Sequence, residues 1–176
     1  MNPLIKQLGT YAAYHRDPRN IATHFFGVPM IYFSVICLLS RPAFELAGFT
    51  LSPAVFAIAA VTVFYARLDV RYAIAMLLVS SGFAYGSSLI AVNSVGVWLA
   101  SAIGLFVVGW VIQFVGHYFE GKKPAFVDDL VGLLIGPLFI CAEAGFAIGL
   151  RKEVKTAIEK VAGPTRLREL RQLPAK

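Results

Sequence analysis

Three histidines occur in this chain, and each stands at the edge of an apolar block. His15 and His24 lie just before or at the start of the first block, and His117 closes the fourth. Neutral imidazole is a ligand for iron, zinc and copper, so three of them at one level of a helical assembly are a candidate metal site. The competing reading is an interfacial side chain that only anchors or hydrogen-bonds. Three protein ligands would leave coordination positions open, which suits catalysis or an oxygen-activating ion better than a closed structural site.

The first two histidines fall in the stretch Tyr14-His15-Arg16-Asp17-Pro18-Arg19-Asn20-Ile21-Ala22-Thr23-His24. They are nine residues apart, too far for one helical turn, so a bend at Asp17-Pro18 is needed for both to meet one ion. Pro18 suits a helix start with Asp17 as its cap, and His15 falls at the end of a short helix beginning at Pro3. Around the third histidine, Gln113, His117 and Glu120 follow i, i+4, i+7 spacing and share one face of the fourth helix. Such a polar face at the end of a span is expensive unless it lines a polar site. Glu120 is placed either as a fourth ligand or as a partner orienting His117. Arg16, Arg19, Lys122 and Lys123 flank these residues and, with Asn20 and Gln113, are candidates for holding a substrate carboxylate while an apolar tail lies between helices. The alternative for the four cations is topological charge alone.

These residues need elements to position them. The 176 residues are 58% hydrophobic and 15% charged, against roughly 45–50% and about 25% for soluble domains. Apolar blocks run from about His24 to Leu39, Leu51 to Ala66, Tyr72 to Val92, Val95 to Val115 and Leu130 to Leu150. Their lengths approach the roughly 17–25 residues of a bilayer span, and helices satisfy their own backbone in lipid. The expected fold is an all-α polytopic membrane bundle over residues 1–150, followed by a basic cytoplasmic tail over residues 151–176. Lys6, Arg16 and Arg19, the Arg67–Arg71 loop and the Lys122–Lys123 loop put the N-terminus and those loops on the cytoplasmic side. Four crossings separate His24 from His117, so all three imidazoles return to one face.

The tail conflicts with five full crossings. Arg151, Lys152, Lys155, Lys160, Arg166, Arg168, Arg171 and Lys176 outweigh Glu153, Glu159 and Glu169. Gly136-Pro137 would break the fifth block near its middle, and Glu143 would be costly in lipid. Four spans plus a bent or re-entrant fifth segment, with both termini cytoplasmic, resolve the conflict. Val154, Ala157, Ile158 and Val161 give the tail a weakly amphipathic pattern, read as a solvated helix or as one touching anionic lipid.

Other signals are weaker. Residues 1–19 lack the apolar core of a removable signal peptide. Cys37 and Cys141 lie in apolar blocks without CxxC spacing and read as small buried hydrophobes. Gly104, Gly109, Gly132 and Gly136 suit close helix packing, and none forms a phosphate loop. Nucleic-acid binding is not called for, because topology accounts for the basic excess. A histidine-box desaturase is excluded on count. A haem-binding electron carrier using His24 and His117, or a small transporter or structural protein without metal, stay open as alternatives.

The two histidine stretches resemble a known family. Tyr14-His15 through Asn20 and His24, then Gly27-Val28-Pro29, is similar to its opening motif. Gln113, Gly116-His117, Phe119-Glu120-Gly121 and Pro124-Ala125 are similar to its second. The family is the Mpo-type 2-hydroxy fatty acid dioxygenases, small membrane proteins first catalogued as a domain of unknown function, and the similarity spans about Met1 to Leu150. The resemblance implies an Fe(II)-dependent dioxygenase of fatty acid α-oxidation. Such an enzyme takes a long-chain 2-hydroxy fatty acid and O2 to a fatty acid one carbon shorter. It implies iron, Fe(2+), held by His15, His24 and His117, with the substrate hydroxyl and carboxylate as a chelate. The compact form suggests a bacterial cytoplasmic (inner) membrane, with membrane lipid around the spans.

Overall fold

The computed structural model describes residues 2–169. Arg171 and Lys176, counted above among the basic tail residues, lie outside the described residues. The fold is helical: α1 (Pro3–Ala12), α2 (Pro18–Leu39), α3 (Pro53–Leu68), α4 (Val70–Ala91), α5 (Val95–Glu120), α6 (Gly132–Ala147) and α7 (Lys152–Ala162). A hairpin of β1 (Phe44–Leu46) and β2 (Phe49–Leu51) joins α2 to α3. It was not anticipated from the apolar blocks. Ala47 and Gly48 both take positive φ, 51° and 80°, the backbone that a tight two-residue hairpin demands.

Among the described residues three helices, α2, α4 and α5, are long and apolar enough to cross a membrane, at 22, 22 and 26 residues. At 1.5 Å per residue, 22 residues reach about 33 Å, matching a hydrocarbon core of about 30 Å. A fourth candidate arises if α6 and α7 count as one span, but they meet at 120°. Helix α3 is apolar but shorter, at 16 residues.

The bend in the fifth apolar block is not where Gly136-Pro137 suggested. Helix α6 runs through Pro137 unbroken to Ala147. The turn comes afterwards, where Gly149 at φ 81° and Arg151 at φ 50° adopt left-handed backbone. There the Leu150 amide donates back to the Gly145 carbonyl at 2.9 Å, closing the helix end. Proline near a helix N-terminus removes only one internal bond, whereas two left-handed residues on either side of Leu150 redirect the chain.

The chain divides into two compact units. One comprises residues 28–110. In it α3 packs on α4, with Tyr65, Tyr72 and Met76 buried. Asp69 caps α4 by accepting from the Arg71 and Tyr72 amides. Tyr32 Oη meets Ser80 Oγ at 2.6 Å, and Trp98 Nε1 donates to the Cys37 carbonyl at 2.8 Å. Arg41 donates to the Ala91 and Asn93 carbonyls and covers the Trp98 ring. Val63, Leu78, Tyr85 and Val107 point outward and exposed. Such an apolar exterior is rare in water and ordinary in lipid.

The other unit comprises residues 1–27 and 111–176. Its core is formed by Leu4, Leu8 and Ala12 of α1, Ile135, Leu138 and Phe139 of α6, and Val154 and Ile158 of α7. The tail helix therefore docks rather than standing free in solvent: it packs on α1, which also contacts α6.

Candidate metal centre

Each histidine is aimed by a local device. The α1 helix ends at Ala12, and the His15 amide donates to the Ala12 carbonyl at 2.9 Å, adding one last turn. Asp17 then caps the next helix. Its Oδ1 accepts from the Arg19 amide at 2.9 Å, its carbonyl accepts from the Ile21 amide at 3.1 Å, and Pro18 takes the first helical position. The expected bend at Asp17-Pro18 is thus present, and it folds His15 back beside His24. Helix α5 ends in Gln113, His117 and Glu120, all buried, while Phe114, Val115 and Tyr118 between them are exposed. The polar face read from i, i+4, i+7 spacing is turned inward. Gly116 permits the approach: a Cβ there would collide with Thr23 Oγ1 and Asn20 Oδ1 of α2.

The three imidazoles meet. Ring centroids lie 4.4 Å apart for His15–His24, 5.0 Å for His15–His117 and 5.1 Å for His24–His117. One ligand nitrogen from each lies within 4.8 Å of the others. His15 Nδ1 lies 2.7 Å from the Tyr11 carbonyl and His24 Nδ1 lies 2.8 Å from the Asn20 carbonyl. A carbonyl can only accept, so both Nδ1 atoms carry the proton and both Nε2 atoms of the neutral rings are bare. Those two Nε2 atoms face each other at 3.0 Å. Two lone pairs at that distance repel unless a cation lies between them. A second proton is a poor candidate, because burial and the neighbouring imidazoles push the His15 pKa well below its ordinary value. His117 Nδ1 is buried without a hydrogen-bond partner. The donor set therefore fits a metal ion: two imidazoles with tautomers fixed by carbonyls, and a third with an unsatisfied nitrogen. A haem between His24 and His117 does not fit. His15 is 4.4 and 5.0 Å from the two rings, close to the midplane that the macrocycle would occupy.

Glu120 is engaged elsewhere. Its Oε1 accepts from the Arg16 amide at 3.1 Å. Its Oε2 accepts from the Arg16 amide at 3.0 Å, the Asp17 amide at 2.8 Å and Asn20 Nδ2 at 3.1 Å. The carboxylate clamps the loop between His15 and His24, which neither role expected for it described. Asn20 Nδ2 also donates to the Tyr14 carbonyl at 3.2 Å.

The four nearby cations have protein partners. Arg16 Nε donates to the Ala12 and His15 carbonyls, Nη1 donates to the Gly163 carbonyl at 3.0 Å, and Nη2 lies 3.9 Å from Glu143 Oε1. That last contact returns the α6 carboxylate to the histidine loop. Arg16 Nη2 still lacks a hydrogen bond, as does the buried Gln113 Nε2. Arg19 holds Asp17 in a two-pronged pair at 3.0 and 2.7 Å, which lowers the Asp17 pKa to about 2. It also covers the Phe119 ring. Lys122 Nζ donates to the Ala13 carbonyl, and Lys123 Nζ to Asp128. Of the donors expected to meet substrate, Arg16 and Gln113 thus keep a buried donor atom unspent.

A family model described as 2-hydroxy-palmitic acid dioxygenase Mpo1-like matches residues 1–148. The chain belongs to the Mpo1-like family. It is 33% identical over 167 residues to the 2-hydroxy-palmitic acid dioxygenase MPO1 of Saccharomyces cerevisiae, covering 89% of this chain and 87% of that one. No solved structure matches significantly. All three histidines, Glu120 and Gln113 fall inside the Mpo1-like region, which ends before α7.

Sequence reasoning missed Tyr11. Its ring stacks on His15 at 4.2 Å and 9°, and its carbonyl fixes the His15 tautomer. The signal was present: Tyr11 lies four residues before His15, one helical turn. The other omission, the Gly116 contact with Thr23 and Asn20, joins residues too distant in sequence for spacing to link.

Proposed function

We propose that this Mpo1-like protein is a non-haem Fe(II) dioxygenase that converts a long-chain 2-hydroxy fatty acid and O2 to the fatty acid one carbon shorter, with CO2 and water. The observation that carries this reading is the facing pair of bare Nε2 atoms, 3.0 Å apart, with His117 alongside. A bound ferrous ion would supply O2 activation and a seat for the hydroxy acid. The four electrons that reduce O2 come from C1 and C2 of the substrate, so no external reductant is required.

The chain's own residues do the rest. His15, His24 and His117 hold the ion, and the Tyr11 and Asn20 carbonyls keep two of the rings in the ligating tautomer. Glu120 keeps the His15–Asn20 loop at its distance from α5. Gln113 Nε2 and Arg16 Nη2, buried donors without hydrogen-bond partners, are offered to the substrate's carboxylate or hydroxyl. Tyr11 and Phe139 pack over His15 and exclude water from it.

The topology of this reading has α2, α3, α4 and α5 crossing and α6 not crossing. Two observations favour it: the bend of 120° after α6, and Glu143 of α6 returning to Arg16. Both termini then lie on the cytoplasmic face.

Incubating the purified protein with Fe(II), O2 and 2-hydroxypalmitate tests the reaction. Equimolar O2 uptake and pentadecanoate formation are expected. Neither, in a sample that binds iron, would reject the substrate class.

A further inference from the structure

The chain beyond α7 is tied to the loop that carries His15 and His24. Helix α7 ends at Gly163, whose φ of 81° turns the backbone away from the helix axis. The following residues run along the His15–Arg19 segment. The Gly163 carbonyl accepts from Arg16 Nη1 at 3.0 Å. The Arg166 amide donates to the Arg16 carbonyl at 2.9 Å. At Arg168 both backbone groups are used: its amide donates to Asp17 Oδ2 at 2.9 Å, and its carbonyl accepts from Arg19 Nη2 at 2.8 Å. Its guanidinium occupies the space beside Gly121 that a Cβ would fill. Gly121 sits at φ 67°, so backbone and neighbour both select glycine there.

We propose that residues 163–168 form a strap that positions the His15–His24 loop, making the C-terminal tail a positioning element of the site. This rests on the metal-site reading for its purpose but not for its test. Two restraints act on the loop. Glu120 holds the Arg16 and Asp17 amides. The strap holds the Arg16 carbonyl and the Asp17 carboxylate. Because Asp17 also caps α2, a shift of the strap is passed to the helix turn that bears His24. Helix α7 anchors the strap through Val154 and Ile158, and through Val161 lying against Gly9 of α1, where a Cβ would stand 2.9 Å from it. The strap and α7 lie beyond the family match over residues 1–148.

Backbone amides carry the strap, so proline separates it from side-chain effects. Hydrogen exchange of the full-length, metal-free protein is compared for wild type, Arg166→Pro, Arg168→Pro, Arg166→Ala and Arg168→Ala. Amides of residues 14–24 are expected to exchange about tenfold faster in each proline variant, the worth of one buried hydrogen bond. In the alanine variants they stay within about threefold of wild type, because the amides remain, and residues 152–162 stay protected in all. Unchanged exchange in residues 14–24, with faster exchange in 163–169, would overturn the strap. Should proline unfold α7, wild type decides: Arg166 and Arg168 amides exchanging at unprotected rates would overturn it, and protection matching that of Asp17 supports it. Iron binding, weakened about tenfold in the proline variants by the same lost bond, is a second readout. A protein that binds no iron would remove the proposed function while leaving the exchange result standing.

Discussion

His15 and His24 each spend the Nδ1 proton on a carbonyl one helical turn earlier, and this shared device decides what the other nitrogen can do. The clustering of the three histidines was legible because histidine is scarce here and its three positions fall at span ends. The tautomers were not legible, since they depend on backbone carbonyls that any residue supplies. Glu120 shows the same limit from the other side. Its i+3 offset from His117 suggested either an ion contact or a partner for that ring, but the carboxylate accepts from the Arg16 and Asp17 amides and from Asn20 Nδ2, donors that the Asp17-Pro18 bend brings to it. Replacing Glu120 with Gln presents an NH2 group to amide donors and should destabilise the metal-free protein by about 3 kcal/mol. Thermal unfolding in detergent measures it, and an unchanged midpoint would contradict the clamp. Gln113→Leu removes a donor without touching the ligands. Iron content should hold while kcat/KM for a 2-hydroxy acid falls about tenfold, the worth of one hydrogen bond in a dry site.

At the scale of the elements, the existence of α2 to α6 was readable from blocks of apolar residues, and the start of α2 at Pro18 from the Asp-Pro pair, but not every end: α5 runs to Glu120, past the block that closes at Val115. The bend after α6 was misplaced because proline is the more visible signal, whereas the left-handed backbone that makes the turn falls partly on Arg151, a residue type that does not advertise it. The crossing of α2 and α5 depends on Gly116. In most helix interiors Gly→Ala stabilises by about 1 kcal/mol. Here the added methyl meets Thr23 and Asn20, and overpacking of this kind costs about 1–3 kcal/mol. Gly116→Ala should therefore lower the unfolding midpoint and the iron content together. A raised midpoint with full iron would show that the helices do not need this approach.

For the whole molecule, composition and positive charge indicated a helical membrane protein, and three to four candidate spans stand among the described residues. What composition did not reveal is that the two ends of the chain share one compact unit. The N-terminal helix, the end of α5 and the tail converge there around the histidines, contacts too distant in sequence for any periodicity to register. Four crossings require the two termini to lie on one side. Activity reporters fused before Met1 and after Lys176 should read the same compartment, with the Asn93–Ser94 loop reading the opposite one. Opposite readings for the two termini would require α6 and α7 to cross.

If the proposed reading holds, His15, His24 and His117 together bind one ferrous ion. Iron is measured in full-length protein purified in detergent and reconstituted with Fe(II) without oxygen, for wild type and for His15→Ala, His24→Ala and His117→Ala. Wild type should hold close to one iron per chain, and each variant should lose most of it while keeping its helical content. Near-stoichiometric iron in all three variants would contradict the account.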